Sequence, residues 1–373
     1  MTKNNICFIT NLSFELEPTI KNRLEPYIEE SLGLGCEVAL CSSDKESLQH
    51  NYNKSIQHIQ FPAKPSRPTS FIKRAMFEWF EARRLLKSLN ATEFNVYIIS
   101  IPSMFLLFNL SILKNKTLTL DVRDLTWEYL PKSGLINILA GKVFSVLANR
   151  SFKYVDSVIV TNDTEVEYFK SRNYDASKFS NGVTLKQFED LSKLPTPEQS
   201  KLTISYVGKV GIAQNLRVFL DVAARFPDLQ FNIAGYGPQC SELNAYAMKN
   251  KLENVKFLGN LNWDGVLKCY EDSHILYAQL SDNFSGAMPS KLYQYICTSR
   301  FIVYGGGGVA AETMSNFDHN IVIEPDNAKA LEGALLSIVD TDIMDLNYSN
   351  NLQVIEKSYI RETNARHILQ GLI

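Results

Sequence analysis

The chain has little of what would settle its chemistry at a glance. Its six cysteines (Cys7, Cys36, Cys41, Cys240, Cys269 and Cys297) are scattered over 373 residues, with no CxxC pair and no histidine at ligand spacing. That excludes a structural zinc pattern and offers no disulfide framework, so a reducing, cytoplasmic setting is expected. Only five histidines are present (His50, His58, His274, His319 and His367), which leaves few candidates for a histidine base. No charge of one sign dominates either: 38 basic against 40 acidic residues give a net charge of −2, no overall footprint for nucleic acid. The amino-terminal apolar run is the four residues ICFI, too short for a signal peptide. The most apolar stretch, VYIISIPSMFLLFNLSIL from Val96 to Leu113, approaches the length of a membrane span, but Pro102, three serines and an asparagine interrupt it. It reads as a buried strand followed by a packed helix. Internal repeats and low-complexity tracts are missing, which excludes solenoids and propellers.

What is present is an ordinary globular composition, 45% hydrophobic and 21% charged, on a chain longer than the ~250–300 residues one core usually serves. Two domains are expected. The first half alternates apolar, strand-like runs (NICFIT, CEVALCS, NVYIIS, LTLDVRD, SVIVT) with helical stretches, as an α/β domain on a parallel sheet does. Its first helix carries Ile20, Leu24, Ile28 and Leu32 at four-residue spacing, with Pro26 expected to kink it. After Asn181-Gly182-Val183 the pattern weakens into a proline-bearing, mixed-charge segment. A second series then begins: TISYVG, LQFNIAG, VKFLG, HILYAQL, FIVYGGGG and NIVIEP. The spacing predicts two doubly wound, Rossmann-like domains facing across a cleft. Their expected bounds are residues 1–190, a linker at 191–202, residues 203–352, and a terminal helical segment at 353–373.

In such sheets ligands sit outside the carboxyl ends of the strands. YVGKVGIAQNL places Gly208 and Gly211 between a strand and a helix, where backbone N–H groups can approach an anion, and Lys209 lies inside the turn. A tight turn with no ligand would look the same. In GAMPSKLYQY, Pro289 suits a first helical position and Gly286 allows a close loop before it. Lys291 then stands in the first turn, where the helix dipole disfavours a cation unless an anion lies between, although a solvated lysine is the plain alternative. Lys291 and Gln294 share a face, one suited to phosphate and the other to a ribose hydroxyl. IAGYGPQ (Gly235, Gly237) and FIVYGGGG (Gly305 to Gly308) add glycine turns at strand ends, with Glu312 a candidate cap for the next helix.

Taken in order, these motifs resemble the retaining glycosyltransferases of family four, which adopt the GT-B fold. GKVGIAQNL resembles the strand-glycine-helix turn at the donor diphosphate, IAGYGP the G-x-G-P turn, and AMPSKLYQY the P-S-K-L-x-E-Y variant of bacterial surface-polysaccharide transferases. DVRDL and NGV resemble first-domain motifs, so the likeness spans nearly the whole chain. The resemblance implies a nucleotide-sugar donor, UDP-linked by family frequency, held by Gly208, Lys209, Gly211, Gln214, Gly235, Tyr236, Gly237, Gly286, Ala287, Met288, Pro289, Ser290 and Gln294. It implies no cofactor and no essential metal, a retaining transfer with Lys291 at the leaving diphosphate, and a terminal helix that crosses back to the first domain. The departures are specific. The family's two glutamates fall on Gly286 and Gln294, and its arginine and lysine at the diphosphate fall on Lys209 and Gln214.

Arg123 and Asp124, at the carboxyl end of LTLDVRD, are expected to orient acceptor or donor sugar; a loop-capping pair is the alternative. SFIKRAMFEWFEARRLLK, residues 70–87, mixes large apolar residues with five basic and two acidic ones, which suits either an interfacial helix on an anionic membrane or an amphipathic helix packed on the first sheet. The expected acceptor is a glycan or polyprenyl-linked saccharide at the cytoplasmic face of the inner membrane, in O-antigen, capsule or exopolysaccharide synthesis. A sugar-nucleotide epimerase would want acid/base carboxylates and a cleft histidine. A catalytically inactive sugar-nucleotide binding protein fits the missing glutamates.

Overall fold

The structure, a computed structural model, describes residues 4–44, 56–61, 70–101, 104–123, 125, 135–198, 201–284, 288–339, 343 and 346–373. The chain forms two compact units, Met1–Ser180 with Arg361–Ile373, and Asn181–Ile360.

The first unit opens with β1 (Asn5–Ile9), α1 (Pro18–Gly33), β2 (Glu37–Ser42), β3 (Ile56–Gln60), α2 (Phe71–Leu89) and β4 (Val96–Ile101). It continues with α3 (Met104–Phe108), β5 (Leu118–Val122), α4 (Leu135–Phe152), β6 (Ser157–Val160), α5 (Asp163–Lys170) and β7 (Ala176–Lys178). The seven strands are parallel, in the order β3-β2-β1-β4-β5-β6-β7. Successive side chains point to opposite faces, and both faces are covered, which is why the central strands read as unbroken apolar runs. Cys7, Ile9, Tyr97 and Ile99 pack on one face with Leu85, Leu86 and Phe105, while Ile6, Phe8, Val96 and Ile98 pack on the other with Ile20, Leu24 and Ile28 of α1. Within the 96–113 stretch Val96–Ile101 is a buried strand and Met104–Phe108 a short helix, and α1 runs through Pro26 as one helix. A buried ion pair crosses the second core: Arg23 of α1, 3% exposed, donates to Asp121 of β5, 0% exposed, at 2.6 Å.

The second unit begins ten residues before the expected boundary at 190. Its first helix, α6 (Leu185–Leu191), is closed by a Thr184–Gln187 capping box, and Leu191 is buried in the second unit's core. Then come β8 (Thr203–Val207), α7 (Arg217–Ala223), β9 (Gln230–Ala234), α8 (Cys240–Lys249), β10 (Val255–Gly259) and α9 (Trp263–Glu271). The unit closes with β11 (Ile275–Gln279), α10 (Ser290–Cys297), β12 (Phe301–Gly305), α11 (Gly308–Met314), β13 (Asn320–Ile323), α12 (Ala328–Val339) and α13 (Ser349–Ser358). The six parallel strands run β10-β9-β8-β11-β12-β13, so the order reverses between β8 and β11. The terminal segment is two helices rather than one. α13 belongs to the second unit and α14 (Arg361–Leu372) to the first, where Ala365 and Leu369 are buried against α1. Between them Ile360 pairs with Val183 in an isolated parallel bridge.

Candidate functional site

The β8–β11 ladder pairs Ile275 with Ile204 and Leu276 with Ser205 and stops there. Tyr295 of α10, fully buried, replaces what is missing. Its hydroxyl accepts the Val207 N–H at 2.9 Å and lies 3.2 Å from the carbonyl oxygens of Val207 and Tyr277, either of which can take its proton. The two strands are thus held by a side chain where the strand order reverses, the place where doubly wound sheets bind ligands.

Two glycine turns meet beside it. Gly208, φ +139°, gives its N–H to Ala234 at 2.8 Å, and Val210 gives its own to Tyr236 at 2.8 Å, so the pairing of β8 with β9 continues into both loops. Gly235 and Gly237 have φ of +149° and +154°, and a Cβ on either would overlap the carbonyl oxygens of Gly208 and Val210 respectively. Only glycine permits both the backbone conformation and the approach. After Gly211, a 3₁₀ turn at Ile212–Gln214 ends in Asn215 at φ +35°. This turn is fixed from β11, where the Gln279 amide donates to the carbonyls of Gln214 (3.1 Å) and Asn215 (3.2 Å), while Ser281 N–H bonds Ala213. Asp326 accepts from Asn215 and Gln279 and completes the network.

Lys291, in the first turn of α10, reaches back to the end of β8. Its Nζ donates to the Tyr206 hydroxyl at 2.5 Å and lies 3.8 Å from the ring centroid, and the Tyr206 hydroxyl donates in turn to the Lys209 carbonyl. An ideal Cβ on Gly208 would be 2.6 Å from that nitrogen. Burial of the ammonium lowers the Lys291 pKa to about 7. No side chain caps α10, whose first N–H groups emerge beyond Pro289, the residue that precedes the helix. The arrangement brings a helix start and a lysine with no bonded carboxylate among the described residues beside the two glycine turns, which suits an oxyanion.

The structure therefore brings Gly208, Lys209, Gly211, Gln214, Gly235, Tyr236, Gly237, Pro289, Ser290 and Lys291 to the carboxyl edge of one sheet. Lys209 and Tyr236 are exposed, and Met288 packs on the core. The Gln294 carbonyl oxygen accepts from the buried Tyr270 hydroxyl at 3.2 Å, so its contact is internal to the unit. Three of the four successive glycines have local structural causes. Gly305 and Gly306 lie against the Gln279 and Tyr304 side chains, and Gly308 has φ +60°. Glu312 does not cap α11; it is exposed in the body of that helix. Arg123 lies just past β5 in the first unit, near enough to Arg361 for their charges to repel. Asp124, Gly286 and Ala287 lie outside the described residues. Tyr206, Tyr295 and Gln279 were not singled out by the sequence: a tyrosine or glutamine inside an apolar strand or helix face reads as core, and nothing local shows where its polar end goes.

A separate groove of about 470 Å³ lies at the opposite edge of this sheet, lined among others by His274, Arg300 and Tyr348. Arg300 there donates to the carbonyls of Tyr270, Thr298 and Pro195, tying down the ends of α9 and α10. Among the described residues no group of His, Cys, Asp or Glu is placed to hold a metal ion, and no helix is long and apolar enough to cross a membrane.

Residues 187–354 match the family described as Glycosyl transferases group 1. No curated protein matches the sequence. Similar solved structures include sucrose-phosphate synthase from Thermosynechococcus elongatus, 14% identical over 99% of this chain and 98% of that one, with a TM-score of 0.74. A glycosyltransferase from Rickettsia africae is 13% identical over 100% and 98%, TM-score 0.73. Anabaena HepE, solved in complex with UDP-glucose, is 14% identical over 99% of both chains, TM-score 0.66. The fold is GT-B, and with a group 1 domain in its second unit the chain is an enzyme, a glycosyltransferase.

Proposed function

We propose that the enzyme binds a nucleotide sugar, UDP-linked as the first expectation, at the carboxyl edge of the second sheet and transfers the sugar with retention of configuration. The observation that carries this reading is the meeting of the Gly208–Gly211 turn, the Gly235–Gly237 turn and Lys291, which together make a cradle for a diphosphate. The neighbour crystallised with UDP-glucose supports a nucleoside diphosphate as the guest. In the transfer the acceptor hydroxyl attacks the anomeric carbon on the face from which the phosphate oxygen leaves, and its proton passes to that leaving oxygen. Charge develops on the diphosphate, and in this reading Lys291, Lys209 and the first N–H groups of α10 stabilise it. No cofactor or metal enters this scheme. Gln294 offers the ribose a neutral amide where a glutamate would give a charge-assisted bond, which weakens the grip on the donor.

In this reading Arg123 and Asp124 orient the acceptor or the donor sugar, the acceptor being a glycan or polyprenyl-linked saccharide of a bacterial surface polysaccharide. A membrane-facing role for the first unit is supported by α2, where Lys73, Met76, Phe80, Arg83 and Lys87 are all exposed at helical spacing. Its acidic residues Glu78 and Glu81 are instead turned to Arg74 and Arg84. On α4, Ile138, Val143 and Val146 are exposed as well.

The test is to incubate the protein with a panel of nucleotide sugars, with and without lipid-linked acceptor, and to measure nucleoside diphosphate release and product anomer. Acceptor-dependent release from one donor is the expected result. Tight binding without release under every condition would instead make it an inactive sugar-nucleotide binder.

A further inference from the structure

Lys291 is enclosed in an unusual way for a lysine. Its nitrogen sits over the Tyr206 ring and against the Tyr206 hydroxyl, in space that exists because Gly208 has no side chain. The hydroxyl cannot turn away freely, since its own proton is given to the Lys209 carbonyl in the turn that the diphosphate would enter. Tyr206 is itself fully buried, so the berth is rigid. Among the described residues, the groups packed around it carry no opposite charge. β8 and its turn present Tyr206 and the exposed Lys209, and Gln294 and Tyr295 follow on α10. Behind Tyr206 lie Cys240 of α8, Tyr277 of β11 and Tyr270 of α9. Burial raises the pKa of Tyr206, Tyr270, Tyr277 and Tyr295, which leaves these phenols neutral at any working pH.

We propose that Tyr206 is a positioning residue for the donor step: its hydroxyl docks Lys291 beside the Gly208–Gly211 turn in the empty enzyme, and an arriving nucleoside diphosphate draws that nitrogen onto its phosphates together with a proton from solvent. The inference rests on the reading of this edge as the donor site. A docked lysine is held at the cradle without the side-chain entropy that a solvated one would lose on binding. The proton follows from the electrostatics. Burial lowers the Lys291 pKa to about 7 in the empty enzyme, and a neighbouring diphosphate restores the charged form. The sign is fixed: as pH rises through about 7 the empty enzyme loses the proton that the complex keeps, so binding takes up a proton and weakens with pH.

The experiment is calorimetric titration of the full chain with UDP at pH 7.5, 8.0 and 8.5, in buffers of different ionisation enthalpy. The nucleotide's own terminal phosphate, with a pKa near ~6, is already ionised in that range. Wild type is expected to take up close to one proton at pH 8.0 and to lose about eightfold in affinity between pH 7.5 and 8.5. Lys291→Arg, charged throughout, binds UDP with no uptake and a flat profile. Tyr206→Phe keeps the ring but removes the oxygen that docks the nitrogen; the lysine, no longer held in its berth, stays charged, so uptake falls toward zero and UDP affinity no longer changes between pH 7.5 and 8.5. A structural role alone would weaken binding equally at every pH with uptake unchanged, and that result would overturn the assignment of Tyr206. Wild-type binding with no uptake overturns the proposal and spares the donor site, whereas no UDP binding at any pH removes the donor site itself. Cys240→Ser, expected to retain the wild-type profile, separates the lysine from the nearby thiol; loss of uptake in that variant would assign the proton to the thiol and refute the proposal.

Discussion

Replacing Tyr295 by Phe removes one oxygen from the place where β8 and β11 part. The Val207 N–H, on a residue 8% exposed, then has no acceptor, and an unsatisfied buried donor costs ~1–3 kcal/mol. The phenol proton, shared between the carbonyls of Val207 and Tyr277, contributes another ~0.5–1.5 kcal/mol that is also lost. The expected destabilisation of the second unit is therefore about 2–4 kcal/mol. One relaxation could reduce it. If β8 and β11 close on each other so that the Val207 N–H finds a carbonyl across the gap, stability recovers, but the crevice at the reversal of strand order narrows and UDP affinity falls. Urea unfolding of the full chain, combined with hydrogen exchange in peptides from β8 and β11 and paired with UDP titration, reads both branches. A loss below about 0.5 kcal/mol with unchanged UDP affinity would refute the claim that this hydroxyl holds the crevice open.

Gly235→Ala drives a methyl group into the Gly208 carbonyl oxygen at φ +149°; we expect ~2–4 kcal/mol of destabilisation and more than tenfold weaker UDP binding, while Gly33→Ala, with nothing within 4 Å, stays within about 1 kcal/mol of wild type on the same urea curves. Asp121→Asn leaves the Arg23 guanidinium buried without its carboxylate, and thermal unfolding of the first unit should report a loss of ~3–5 kcal/mol, most of it recovered when Arg23→Met is added. Reversing Lys73, Arg83 and Lys87 to Glu should release the protein from anionic vesicles in low-salt co-sedimentation, each basic residue contributing about 1 kcal/mol; wild type remaining in the supernatant would end the membrane reading.

The central strands were legible because both faces of each sheet are buried, so β1, β4, β8 and β11 announce themselves as apolar runs. The edge strands of the first sheet were not, although those of the second, VKFLG and NIVI, could be read. β3 reads IQHIQ and β7 reads ASK, polar sequences held by a neighbour on one side only, and no apolar period marks them. The glycine turns and the lysine of AMPSKLYQY were visible since glycine at a strand end and a cation at a helix start are both locally costly. Where hydroxyls point is a tertiary property, and so Tyr206 and Tyr295 passed as core. The unit boundary was partly readable: Thr184 and Gln187 are a capping box, a helix start that belongs with the second unit rather than with the strands before it.

The chain enters the second unit at Asn181 and leaves it at Ile360, and these two crossings lie side by side. Val183 N–H bonds the Tyr359 carbonyl at 2.9 Å, next to Gly182, where any Cβ would strike that same oxygen. During synthesis this order has a consequence. The second unit is contiguous and can close as soon as residue 360 has left the ribosome, whereas the first, begun earlier, waits for Ala365 and Leu369 to cover the apolar stripe of α1. The part made first is finished last: while the whole of the second unit is being translated, α1 of the first lacks the apolar cover that Ala365 and Leu369 give it.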